Sequence, residues 1–490
     1  MPVHSARRRG LVLAICCVAI LMVGVDVTAL NVALPAMERD LGASVSGMQW
    51  AVAAYSLAMA TLMLYAGSTG DRIGRKRVLI AGMAVFTVGS VLCALAPDLP
   101  ALIGFRVLQG VGAAGLGPVA VAIVANAYPD RRERVRAVGV WMGSYGLGLA
   151  LGPVVGGLLV GAAGWRSVFW LNVPLGLIGA IAAARGVAES RAARPRQPDR
   201  LGQLLVVTVL GPLAYAIIAA PRAGLTAPSV LASLAVTVAS GLALVVHEQR
   251  CDEPLIEPAF FRDARFCGAI AATLSVFGTL GGFFFLAALY LQNPLRMSAA
   301  QAGLWMLVPA GVLAASSLCA APLAKRYGTR PLLIGAGLAL AVSTSLMAHF
   351  SADPARPLLA VEYALFGLGI GLSSPLVLTA GVSSLPADQS GLASGMLTTF
   401  GRSAFAMGVA VLGAILSTGL HGAPLTDATA FTSAVRPAWW ILTAGGLATA
   451  LLGVLVTTKK TDPSAEKAGP VNGAYSPSPL SSASSHHRVR

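Results

Sequence analysis

The stretch GSTGDRIGRKR, residues 67–77, holds four cations and one acid, Asp71, between two long apolar segments. A connector this short can only join helices lying side by side. If those helices cross a membrane, the excess of Lys and Arg marks the cytoplasmic side. Gly67 and Gly74 allow backbone turns that other residues resist. Asp71, just ahead of the next apolar segment, can take up the unpaired amides that open a helix. Arg72, Arg75 and Lys76 serve topology, whereas the glycines and Asp71 have no use in a plain connector.

The rest of the chain agrees with a membrane setting. Of 490 residues, 56% are hydrophobic and only 11% charged, with a mean hydropathy of +0.75. Soluble domains carry about 25% charged residues. The net charge of +15 would suggest nucleic acid in a soluble protein. Here no basic domain or aromatic-interleaved basic patch exists, and the charge records topology instead. Six cysteines, mostly in or beside apolar spans, show no CxxC or Cys/His ligand spacing, so neither a disulfide framework nor a metal site is expected. No cofactor is expected either.

A helix needs about 20 apolar residues to cross a bilayer. On that basis spans fall near 11–36, 48–68, 78–96, 100–126, 135–162, 166–186, 201–220, 227–247, 266–292, 299–323, 331–350, 357–380, 390–418 and 437–458. The first is too long for a signal peptide. With the N-terminus inside, the outer loops hold only Arg39, Arg166, Arg222, Arg296, Arg356 and Arg436, and Arg106 and Arg402 fall within spans. The other 27 of the 35 Lys and Arg residues lie inside. That bias supports the count and predicts cytoplasmic termini.

An internal echo sets DRIGRKRVLI (71–80) against KRYGTRPLLI (325–334), each between two apolar spans. It predicts two related helical blocks, a recurring transporter plan. The expected division is a cytoplasmic N-terminus (1–10), a six-helix bundle (11–186), a charge-rich linker with two inserted helices (187–265), a second six-helix bundle (266–458) and a disordered cytoplasmic tail (459–490) rich in Ser, Pro and Lys. The fold class is all-α polytopic membrane protein.

Five segments in order now carry a resemblance: DVTALNVALP (26–35), the 67–77 connector, RVLQGVGAA (106–114), GLALGPVVGG (148–157) and WRSVFWLNVPLG (165–176). Together they resemble the major facilitator superfamily, and within it the fourteen-span drug:proton antiporters of the EmrB/QacA type. The resemblance covers about residues 11–458. It implies a proton-coupling role for Arg106 and a charge-relay latch at Asp71 that holds the cytoplasmic side shut. It also implies an antiporter motif at Gly148, Gly152, Pro153, Gly156 and Gly157, packed where the two blocks meet. Because the echo has Lys325 where the first copy has Asp71, a latch would exist in the first block only.

The residues have their own physical reading. An acid at mid-span costs roughly 2.5–3.5 kcal/mol on insertion scales, so Asp26 should face protein or water. It can then carry a proton or pair with a cationic substrate, or simply tie helices together. Arg106 stays charged and needs a carboxylate, carbonyl or water beside it. Gln109 lies on its helix face. Gly148, Gly152 and Gly156 line one helix face for close approach, and Pro153 removes one backbone hydrogen bond. The second block lacks acids deep in spans 10 and 13. It has Glu362 near the outer end of span 12 and Arg402 near the middle of span 13. The intramembrane set Asp26, Arg106, Glu362 and Arg402 sums to zero, which suits a neutral, zwitterionic or anionic substrate at least as well as a dication.

These readings imply a proton-coupled antiporter in the cytoplasmic membrane that exports antibiotic-like or toxic small molecules, with self-resistance of an antibiotic producer as one setting. Its partners would be substrate, protons and lipid, with a monomer as the working unit. A proton-coupled uptake permease is the alternative. A membrane enzyme is disfavoured, because the short loops hold no HExxH, Ser/His/Asp set or DxD.

Overall fold

The computed structural model describes residues 6–192, 199–251, 253–350, 355–386 and 389–456. The expected tail (459–490), the first five residues and the middle of the 187–200 linker lie outside this set. Among the described residues the regular structure is helical. The helices are α1 (Ala6–Leu41), α2 (Val45–Ile73), α3 (Arg75–Ala94), α4 (Leu99–Ala127), α5 (Arg131–Ala163), α6 (Arg166–Gly186) and α7 (Arg200–Ala223). They continue as α8 (Pro228–Glu248), α9 (Ala264–Gln292), α10 (Ala299–Tyr327), α11 (Thr329–Phe350), α12 (Arg356–Ser383), α13 (Ser390–Gly419) and α14 (Ala428–Val456). All fourteen are long and apolar enough to cross a membrane, as the apolar spacing predicted.

Helix ends are set by ordinary signals. Asp98, Asp130, Asp199 and Asp263 cap α4, α5, α7 and α9 through their side chains, and Ser298 and Gln301 form a capping box on α10. Leu231, Val238, Leu242 and Val245 on α8 are exposed, as befits a helix turned to lipid.

Within the first six helices, α1 packs on α5, α6 and α4, while α4 packs on α2 and α3. Among the last six, α9 packs on α13, α14 and α12, α10 on α12, and α11 on α14 and α12. Between the groups, α5 meets α10 and α2 meets α13. The inserted pair, α7 and α8, pack on each other, and α7 touches α2 and α13.

The 67–77 stretch differs from the loop expected of it. Helix α2 runs on to Ile73 and α3 starts at Arg75, so Gly74 alone connects them, at a φ of 125°. Only glycine adopts that backbone without strain. The echo repeats the device: Gly328, at a φ of 86°, is the one residue between α10 and α11. The amides that open α3 are not taken by Asp71, which lies in the last turn of α2 and pairs with the Arg75 side chain. Arg75 N donates to Ser190 O at 2.9 Å and Lys76 N donates to Glu189 Oε1 at 3.1 Å. The segment after α6 folds back over the connector and supplies the acceptors.

Candidate functional site

Asp26 lies 21 residues into α1 in chain order, among apolar neighbours, and its side chain is fully buried. Arg106 of α4 answers it. One guanidinium nitrogen, Nη1, donates to Asp26 Oδ2 at 2.7 Å and to Gln109 Oε1 at 2.6 Å. Nε donates to Ala51 O of α2 at 3.0 Å. The guanidinium also sits 4.2 Å from the centre of the Tyr55 ring, a favourable cation–π position. Asp26 Oδ1 accepts from Gln109 Nε2 and from Asn172 Nδ2 of α6, each at 2.9 Å. Gln109 Nε2 also donates to Ser90 Oγ of α3 at 2.8 Å. Helices α1, α2, α3, α4 and α6 therefore meet in one buried polar cluster whose formal charges sum to zero.

Such a pair is retained only when each partner's remaining sites are met, and removing one partner typically costs about 3–5 kcal/mol. Here three donors hold the carboxylate, and the carbonyl of Ala51 and the Tyr55 ring hold the guanidinium. A proton arriving on Asp26 would turn an acceptor into a donor. Arg106, Gln109 or Asn172 would then have to give way, which links protonation to helix packing.

The other two intramembrane charges lie elsewhere. Arg402 reaches from α13 to α5, where it donates to Tyr145 Oη and lies 4.6 Å from the Tyr145 ring centre. It bridges the two helix groups and does not join Asp26. Glu362 is buried in α12, and among the described residues its Oε1 has no hydrogen-bond partner. Beside it Tyr363 packs on Phe283 and Trp305.

In the connector, Asp71 Oδ1 pairs with Arg75 at 2.8 Å within the same turn of chain, and Ala192 N donates to the Asp71 carbonyl. Lys76 Nζ donates to Ala184 O at 2.6 Å. Arg72 is exposed. Gly67 faces Pro118 of α4. These contacts involve the first helix group and the segment that follows α6.

The antiporter glycines split between two tasks, which corrects the expectation that their face packs between the blocks. Gly148, Gly152 and Gly156 press on α1: a Cβ on Gly148 would stand 2.5 Å from Leu21 O, and one on Gly156 2.9 Å from Ala29 O. A Cβ on Gly152 would stand 2.8 Å from Val25 O. Their four-residue repeat matches the face of a neighbouring helix in the same group. Gly157, one residue out of that register, faces Ala299 of α10, and Gly303 of α10 faces the Pro153 carbonyl.

Sequence reasoning passed over several of these partners. Asn172 lies inside a quoted motif without a role. Tyr145 and Glu189 carried no local signal, because their importance comes from contacts far along the chain.

A bundle of fourteen helices long and apolar enough to cross a membrane, with a buried ion pair among them, has the architecture of a polytopic membrane transporter. The chain belongs to the Major Facilitator Superfamily, whose family model matches residues 16–409. It is 36% identical over 398 residues to the multidrug resistance protein Stp of Mycobacterium tuberculosis (strain CDC 1551 / Oshkosh), covering 81% of this chain and 74% of that one. It is 33% identical to the tetracenomycin C resistance and export protein of Streptomyces glaucescens, covering 82% and 74%. Among solved structures, the nucleoside transporter NupG superposes with a TM-score of 0.66 at 12% identity, over 91% of this chain and 100% of that one. That likeness concerns the fold.

Proposed function

We propose that this protein exports antibiotic-like or toxic small molecules across the cytoplasmic membrane in exchange for protons, by alternating access of α1–α6 against α9–α14. The observation that carries the proton-coupling part is the Asp26–Arg106 pair, buried where any change of charge must be felt by several helices. The resistance and export proteins among its relatives support the cargo and its direction, with self-resistance of an antibiotic producer as one setting. Asp26 takes the role of proton carboxylate, Arg106 tunes it, and Glu362 is a second buried carboxylate in the other group. Arg402 faces α5 from α13 and is the cation available to a neutral, zwitterionic or anionic substrate.

Both termini are cytoplasmic in this reading, as the basic residues indicate. The polar and close contacts between the groups then support a state closed at the outer end. Gln49 donates to Ala410 O at 2.6 Å, Gln292 donates to Val32 O at 2.9 Å, and Gly157 and Gly303 seat α5 against α10. All of these lie at the helix ends away from Gly74. Asp71, paired within its own group, is the latch residue that would reach the other group when the inner end closes. The working unit is one chain, divided as 11–186 and 266–458 with the 187–265 insertion between.

The test uses everted membrane vesicles. With an acid interior, wild-type protein should accumulate a transported drug, and Asp26→Asn should lose that pH-driven accumulation by about tenfold or more. Equal accumulation with and without the pH gradient would remove proton coupling from the proposal.

A further inference from the structure

At the cytoplasm-facing base of the inserted helices, three elements bring metal-ligating side chains together. Asp199 precedes α7, His247 is in the last turn of α8, and Cys251 follows it. A carboxylate oxygen, an imidazole nitrogen and the thiol sulfur of these three lie within 4.8 Å of one another. His247 Nε2 and Asp199 Oδ1 are 2.8 Å apart. Glu248 joins them. It is only 4% exposed, and its Oε2 accepts from Ile256 N at 3.2 Å.

Two oxygens here are left over. Among the described residues, neither Asp199 Oδ2 nor Glu248 Oε1 has a hydrogen-bond partner, although the Asp199 side chain is 5% exposed. Buried carboxylate oxygens without donors are costly. Both point to the same small space beside Gly202. A Cβ there would collide with Asp199 Oδ2 and stand 3.0 Å from Glu248 Oε1, so the glycine keeps the space between the two acids open. The His247 side chain remains 24% exposed, which leaves a way in from solvent.

We propose that Asp199, His247 and Cys251, with Glu248 beside them, bind a divalent transition-metal cation of the Zn2+ class. One nitrogen, one sulfur and carboxylate oxygens form the mixed donor set that a borderline-soft ion prefers over Mg2+ or Ca2+. Zinc bonds of about 2.0–2.3 Å set tetrahedral ligand atoms roughly 3.3–3.8 Å apart, so the cluster closes by about an ångström at its widest. Coordination displaces the Cys251 thiol proton, which passes to buffer, while His247 binds as the neutral imidazole with its N–H on the ring nitrogen that faces away from the ion. The bound ion clamps the α6–α7 linker to the end of α8. Ile256, tied to Glu248, and its neighbour Leu255 line an apolar cavity of about 540 Å³ with residues of α7, α9, α13 and α14. The clamp thus fixes one wall of that cavity.

Purified full-length protein in detergent, stripped with chelator, should retain one equivalent of added Zn2+ per chain and melt at a higher temperature with it. Cd2+ as a probe should give a thiolate-to-metal absorption band. Cys251→Ser should lose the band, and His247→Gln, which keeps the thiol, should weaken Zn2+ retention by about tenfold or more. Wild-type, Cys251→Ser and His247→Gln proteins that melt alike in chelator, yet take up the same Zn2+ and show the same Cd2+ band, would overturn the site. A variant that fails to fold leaves the other to decide, since each removes a different donor.

Discussion

Asp26 is held by three donors from two helices, Arg106 and Gln109 of α4 and Asn172 of α6, and substitutions on the two sides of the ion pair predict different failures. Asp26→Ala leaves the buried Arg106 uncompensated, so it should destabilise the protein by about 3–5 kcal/mol, seen as a lower melting temperature in detergent. Asp26→Asn keeps a hydrogen-bonding group of the same shape and should fold far better while losing proton-driven transport. Arg106→Lys keeps the charge but not the planar fork that reaches Asp26, Gln109 and Ala51 O together. It should behave as a coupling defect, with substrate binding retained and pH-driven accumulation lost. At Arg402 the expectation depends on cargo. Arg402→Ala should abolish export of an acidic compound in vesicles and spare a neutral one, whereas unchanged transport of both would remove Arg402 from the substrate site. Tyr145→Phe, which keeps the ring beneath the guanidinium and deletes only the hydroxyl acceptor, should have the milder effect.

The two one-residue connectors show how a helix pair is closed. Gly74 and Gly328 both take a positive φ, but their surroundings differ. A methyl at Gly74 would stand 2.5 Å from the Glu189 carboxyl carbon, while at Gly328 the nearest atom is Pro331 Cδ at 3.9 Å. Gly328→Ala meets backbone strain alone, of order 1–3 kcal/mol. Gly74→Ala meets the same strain and also pushes Glu189 off the Lys76 amide. It should be the more damaging of the two by melting temperature, and Glu189→Ala, which removes the carboxyl group that the methyl would strike, should recover part of the difference. The connector motif is legible in the chain because its composition is unusual. Its role as a seat for the segment after α6 is not, because Glu189 lies more than a hundred residues away and looks like any linker acid. The antiporter glycines teach the same thing. A four-residue repeat of small residues tells that a helix will approach closely, yet it does not tell which one. The partner proved to be α1, with Gly157 alone turned to α10.

For the molecule as a whole, the contact of α5 with α10 carries the proposed gate. Gly303 admits no side chain, because even a Cβ would collide with the Pro153 carbonyl. Gly303→Val should therefore wedge α5 and α10 apart at the end away from Gly74. The expected result is a folded protein that no longer exports. In whole cells a cysteine placed at Ser298 should then react faster with a membrane-impermeant maleimide. Slower or unchanged labelling would show that this contact does not govern access. The wedge does not touch the Asp26–Arg106 cluster, so its effect separates the proposed gate from the proposed proton site.

Fourteen apolar spans, the paired connectors and the buried charges are readable along the chain. These properties rest on local hydrophobicity and on the cost of placing charge in lipid, and both act on a segment whatever its neighbours are. The choice of partner was left to the folded bundle. Arg106 meets Asp26 and not Glu362, Arg402 meets Tyr145, and Asp199 comes beside His247 and Cys251 from nearly fifty residues upstream. Helix faces of similar apolar and small residues pack in many alternative ways at similar free energy. Only the simultaneous packing of all fourteen helices selects one set of neighbours, and with it the chemistry each buried group can perform.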